Sequence, residues 1–231
     1  EQLVVDVLQS AFNSAGQRCS ALRVLFVQNE IAARVIRLLA AAMQEIQIGD
    51  PLLLASDVGP LIDQDAARSL QPHVARLQRE ARLLQRVDPP QNLQAGCFFP
   101  LQAFELESLA LLEKEVFGPV LHVVRYRADK LEQVIDAVNN TGYGLTLGVH
   151  SRIEETWLRV QARAKVGNLY INRNMIGAVV GAQPFGGEGL SGTGPKAGGP
   201  YYLHRFATER TLSVNTAAVG GNTGLLSLPE D

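Results

Sequence analysis

The chain has 231 residues, 46% hydrophobic and 19% charged, with a net charge of −2. That length allows one large domain with its own core, and the charge balance argues against a nucleic-acid surface or a polybasic membrane patch. Two cysteines make no disulfide framework, His73, His122, His150 and His204 fall at no metal-ligand spacing, and no apolar run approaches transmembrane length. The opening "EQLVVDVLQS" has neither the basic start nor the long apolar run of a signal peptide, so a cytoplasmic protein is expected. It also lacks an initiating Met, which reads as a piece of something longer.

Residues 3–12 read as the end of a helix, closed by Ser14 and Gly16. "LRVLFVQ" follows as a buried strand. Residues 30–46 form a strong amphipathic pattern, with Ile31, Val35, Leu38, Leu39, Ala42, Met43 and Ile46 on one face. "GDPLLLASDVGPLID" is a loop with two Gly/Pro stops. Residues 63–87 read as a second helix region, rich in Arg and Gln on its outer face. "DPPQNLQAGCFF" breaks it and leads into short strands. "EVFGPVLHVVRY" is a turn running into a strand, residues 130–140 a helix and "YGLTLGVHS" a strand. Residues 153–165 are a further helix and "VGNLYIN" a further strand.

This alternation, with strands rich in Val, Ile and Leu, predicts an α/β domain with helices on both faces of a largely parallel or mixed sheet. Beyond residue 172 the texture changes. "GAVVGAQPFGGEGLSGTGPKAGGP" is dense in Gly and Pro and too long for an ordinary connection, so it reads as a functional loop. "YYLHRFATERTLSVNT" reads as a short helix followed by a strand, and an apolar, Gly-rich tail completes the chain.

Cys19 stands in a Gly-containing turn beside Arg18, between helix and strand. A nucleophilic thiol must be accessible and partly ionised, and nearby positive charge and convergent N–H groups favour that state. Local sequence leaves a second reading open, a small buried core residue. Cys97, in "AGCFFP", reads as a buried structural thiol, and Trp157 as packing in its helix.

Three segments carry a resemblance. "FNSAGQRCSALR" resembles the catalytic-cysteine segment of the aldehyde dehydrogenase superfamily, Phe-x-x-x-Gly-Gln-x-Cys. "EVFGP" (115–119) resembles its second signature, and "PFGGEGLSGTG" (184–194) a third near the end of the fold. The longer stretches "GQRCSALRVLFVQ", "GAVVGAQPFGGEGLSGTGPKAGGPYYLHRF" and "NTAAVGGN" are most similar to the Δ1-pyrroline-5-carboxylate dehydrogenase branch, found within bifunctional proline-utilisation flavoenzymes.

The resemblance implies NAD as cofactor and L-glutamate γ-semialdehyde as substrate, oxidised to L-glutamate in proline catabolism. FAD would belong only to a proline dehydrogenase domain outside this chain. Cys19 matches the nucleophile. Glu115 matches the acid that holds the nicotinamide-ribose hydroxyls, and Phe117 the residue packed near the nicotinamide ring. Ser20, Gly177 and Ala178 match the receptor for the substrate's α-carboxylate. Arg18 matches a basic residue that pairs with that carboxylate, or serves as a structural salt-bridge arginine. Phe185 matches an aromatic on the substrate's aliphatic part, or a core phenylalanine.

The general-base glutamate, the oxyanion-hole asparagine and most of the dinucleotide-binding domain belong upstream of residue 1. The chain therefore resembles a C-terminal half, with the catalytic domain in 1–205 and an oligomerisation strand and tail in 206–231. A homo-oligomer is expected, with "TLSVNT" adding to a partner subunit's sheet. An isolated chain lacking the cofactor half is expected not to turn over. Two other readings are another aldehyde dehydrogenase and a non-catalytic, aldehyde-dehydrogenase-like assembly domain.

Overall fold

A computed structural model of the chain describes residues 1–91, 93, 96–215, 224 and 227. Helix α1 (Gln2–Phe12) leads through a tight turn into strand β1 (Val24–Gln28), followed by α2 (Asn29–Gln44) and α3 (Gln64–Glu80). Strands β2 (Arg82–Val87), β3 (Leu101–Leu106) and β4 (Val120–Tyr126) complete the main sheet. Its order is β1-β4-β3-β2. Strand β4 runs parallel to both β1 and β3, and β2 is antiparallel at the edge. The apolar runs of β3 and β4 are buried on both faces, the pattern of central parallel strands between helical layers.

The second half contains α4 (Leu131–Asn140), β5 (Tyr143–Gly144), β6 (Thr146–Val149), α5 (Glu154–Arg163), β7 (Asn168–Ile171) and β8 (Glu188–Gly189). Strands β6 and β7 pair in parallel, β5 and β8 antiparallel. A trough of about 1080 Å³ is lined by the whole of β1 and the whole of β6. Helix α1 ties the halves together. Ser10 Oγ accepts from the Met175 amide at 3.1 Å, Asn174 donates to Gln9 at 3.1 Å, and His150 lies 3.4 Å from the buried Asp6 carboxylate. Among the described residues no helix is long and apolar enough to cross a membrane.

Two expectations change. Residues 63–87 are not one helix. The buried positions Ala67, Leu70, Val74 and Leu77 keep helical spacing, but Ala81 is extended (φ −136°, ψ 162°) and β2 follows. Its residues Leu83 and Gln85 pair with Phe104 and Ala103 of β3. Pairing with a strand distant in sequence overrides a local sequence that suits either state. Ile31, read as part of the buried face of α2, is 47% exposed and borders the trough, while Ala32 and Ile36 are buried in its place. Residues 207–215, in the segment expected to add to a partner subunit's sheet, are exposed and pair with no strand of their own chain. Most of the tail beyond them, with "TAAVGGN", lies outside the described residues.

Candidate active site

The cysteine turn is made by three consecutive left-handed residues, Ser14, Ala15 and Gly16, with φ of 57°, 53° and 65°. Such values cost non-glycine residues about 1 kcal/mol or more each, so the surroundings must hold them. Gly16 is required on steric grounds as well, because a Cβ there would lie 2.3 Å from the Gly118 carbonyl oxygen. The turn is thus pressed against the "EVFGP" segment. It leaves Cys19 exposed and Ser20 buried, 6% exposed. Cys19 is therefore not a core residue. Cys97 is half-buried, its carbonyl accepting from the Leu61 amide at 2.9 Å.

Arg23, which sequence reasoning did not single out, joins turn and motif. Its guanidinium donates to the Gly16 carbonyl and, at 3.0 Å, to the Arg18 carbonyl. It also donates twice to Glu115 Oε1, at 3.2 and 3.0 Å, and lies 4.6 Å from the centroid of Phe117. Burial lowers the Arg23 pKa, and the charges of Glu115 and Cys19 oppose that shift. The Arg23 carbonyl in turn accepts from the His122 amide at 3.0 Å and faces His122 Nδ1 at 2.8 Å.

A cavity of about 610 Å³ is lined by Cys19 together with Arg18, Ser20, Ala178 and Phe185 among others. Phe185 is fixed by paired backbone hydrogen bonds with Ala197, at 3.0 and 2.9 Å. Lys196, a second residue missed in the sequence, staples the same loop to β7. Its ammonium donates to the Gly167 carbonyl, to Asn168 Oδ1 at 3.1 Å and to the Pro184 carbonyl at 3.4 Å. Gly177 has φ +71° and open space around it, and is not in the cavity lining. Arg18 donates to Ser14 Oγ at 3.0 Å and has no carboxylate partner among the described residues.

Cys19 thus lines two spaces, the cavity holding Arg18, Ser20, Ala178 and Phe185, and the trough that also contains Arg23, Glu115 and Phe117. Of the eight residues picked from the sequence, all but Gly177 line one or both of these spaces. Nothing local could have shown Arg23, whose contact with Glu115 spans 92 positions.

The chain belongs to the aldehyde dehydrogenase family, whose sequence model matches residues 1–212. Its relatives narrow the comparison. It is 55% identical over 215 residues to the bifunctional protein PutA of Salmonella typhimurium, covering 91% of this chain and 16% of that protein. It is 34% identical over 210 residues to a 1-pyrroline-5-carboxylate dehydrogenase of Geobacillus, covering 90% of this chain and 40% of that one. A crystal structure of a Bradyrhizobium japonicum proline utilization A mutant superposes with a TM-score of 0.87 at 57% identity, covering 95% of this chain and 22% of that chain. A 1-pyrroline-5-carboxylate dehydrogenase from Thermus with bound NAD gives 0.79 at 31% identity, over 89% of this chain and 39% of that chain.

Proposed function

We propose that this chain is the catalytic part of an NAD-dependent dehydrogenase that oxidises L-glutamate γ-semialdehyde, formed from Δ1-pyrroline-5-carboxylate, to L-glutamate in proline catabolism. The observation that carries this reading is that Cys19 lines two spaces, one with Glu115 and Phe117 and one with Arg18, Ser20, Ala178 and Phe185. The relatives named PutA and 1-pyrroline-5-carboxylate dehydrogenase support the substrate, and the NAD-bound relative supports the cofactor.

The Cys19 thiolate attacks the aldehyde carbon, a C–S bond forms, and the carbonyl electron pair moves to oxygen. The Cys19 N–H is suited to donate to that oxygen. Arg18, Ser20 and the Gly177–Ala178 backbone receive the substrate's α-carboxylate, a guanidinium, a hydroxyl and N–H groups being suited to an anion. Phe185 packs on the aliphatic chain. Glu115 and Phe117 would hold NAD. The carboxylate gives only Oε1 to Arg23 and its side chain is 35% exposed, so Oε2 can accept ribose hydroxyls. Bound NAD supplies the acceptor for hydride leaving the substrate carbon. As the hydride leaves, the oxygen's electron pair re-forms the carbonyl, and the resulting Cys19 thioester is open to attack by water.

NADH formation from Δ1-pyrroline-5-carboxylate tests the reading. The chain alone is expected to give none. Substituted for the matching region of a PutA relative, it is expected to oxidise the semialdehyde faster than an unbranched aliphatic aldehyde of equal length. The reverse order would favour a different aldehyde dehydrogenase. No activity on either, with Cys19 unreactive, would favour a non-catalytic assembly domain.

A further inference from the structure

We infer that Arg23 is a positioning residue that couples the Cys19 turn to the Glu115 carboxylate, so that an event at Glu115 is felt at the thiol. This coupling rests on the assignment of Cys19 and Glu115 under the proposed function.

The geometry is that of a clamp rather than an ion pair. A guanidinium has five N–H donors in one rigid plane. Here four contacts fan out to three targets, the Gly16 carbonyl, the Arg18 carbonyl and Glu115 Oε1. Gly16 and Arg18 belong to the turn that presents Cys19, whereas Glu115 lies 92 positions away from Arg23 in sequence. A purely structural Arg–Glu pair gains most from the parallel two-oxygen arrangement. This pair places both bonds on Oε1 and leaves Oε2 free of Arg23. The Phe117 ring holds one face of the guanidinium, and only 15% of the Arg23 side chain is exposed. Burial and the ring together restrict its rotation. Behind it, His122 and its partner His73, 2.9 Å apart through their Nε2 atoms, fix the Arg23 backbone.

A vicinal diol donating to Glu115 would draw negative charge away from Arg23. The planar fork would then lean more heavily on the Gly16 and Arg18 carbonyls, tightening the turn, with its charge less compensated near the Cys19 sulfur. Replacing Glu115 by Gln mimics the loss of charge without any ligand.

The test reads the rate of Cys19 alkylation by iodoacetamide in the full chain at pH 7, located by peptide mass spectrometry. Cys97 serves as the internal monitor of global opening. Glu115→Gln is expected to raise the Cys19 rate by about threefold or more, and that ratio is expected to collapse toward one in the Arg23→Gln background. Arg23→Lys keeps the charge but not the fork, and is expected to lose the coupling as Arg23→Gln does. Equal Glu115→Gln ratios in all three backgrounds would overturn the inference while leaving Cys19 as nucleophile. Coupling retained with Lys would show that charge alone acts, which also overturns the positioning role. If Cys19 is not labelled ahead of Cys97 in the unsubstituted chain, the nucleophile assignment itself falls, and the coupling with it. Should Arg23→Gln unfold the chain, labelling of Cys97 rises with it; Arg23→Lys then supplies the comparison.

Discussion

His122 is fully buried, its Nδ1 facing the Arg23 carbonyl and its Nε2 facing His73. A carbonyl can only accept, so Nδ1 carries the proton and Nε2 accepts from His73. A second proton on His122 would require His73 to move its own proton to Nδ1 and become the acceptor. Burial pushes the His122 pKa down from 6.5 to about 4, with the charges of His73, Arg23 and Arg76 adding to the same direction. Burial lowers His73 as well. Because the folded value lies below the unfolded one, this contribution to stability is present above pH 6.5 and is lost as pH falls toward 4. The loss amounts to about 3 kcal/mol. Urea midpoints measured at pH 7.5 and 4.5 are expected to show a steep acid loss that flattens in His122→Asn. An equal pH dependence in both would contradict it. At this scale Cys19, Glu115 and Phe185 were legible because each sits in a short motif. Arg23, His122 and Lys196 were not, because their roles arise from partners 92, 49 and up to 29 positions away.

The turn of residues 13–16 and the start of α3 are the elements on which the site depends most directly. Gly16→Ala would force a methyl toward the Gly118 carbonyl at φ +65°. A loss of about 2–4 kcal/mol in urea denaturation is expected, with slower Cys19 alkylation in whatever remains folded. A change within experimental error would mean the turn relaxes freely. Asp63 caps α3, its Oδ1 accepting from the Ala66 amide at 2.7 Å, and this helix carries His73. Asp63→Ala is expected to cost about 1 kcal/mol. Helices α2, α4 and α5 were legible because their apolar positions recur at helical spacing over ten residues or more. Strand β2 was not, because "RLLQRV" has no alternation of its own and becomes a strand only against β3.

At the scale of the molecule, the main sheet ends at β1 and the trough between β1 and β6 is largely apolar, bordered by Leu3, Ile31, Val134 and Leu147. An apolar face of this size favours association. Residues 207–215 are exposed and outside any ladder, and the β-formers of "TLSVNT" suit addition to a second copy's sheet edge. Light scattering on the full chain is expected to report an oligomer, and truncation after Phe206 to reduce its mass. An unchanged mass after truncation would remove the segment from the interface. The overall α/β order was legible from the alternation of periods. The meeting of residues 18–20, 115–117, 178 and 185 around one thiol was legible only through three family motifs, since no local pattern predicts which loops converge.

On the proposed function, Cys19 performs covalent catalysis on an aldehyde presented from one side while the cofactor is held from the other. NADH formation from Δ1-pyrroline-5-carboxylate tests this most directly, measured in a PutA relative that carries this chain in place of its own matching region, with and without Cys19→Ala. Turnover is expected with the unsubstituted chain, and a loss of at least about 10³-fold with Cys19→Ala. A Cys19→Ala variant that turns over at a rate comparable to the unsubstituted chain would contradict it.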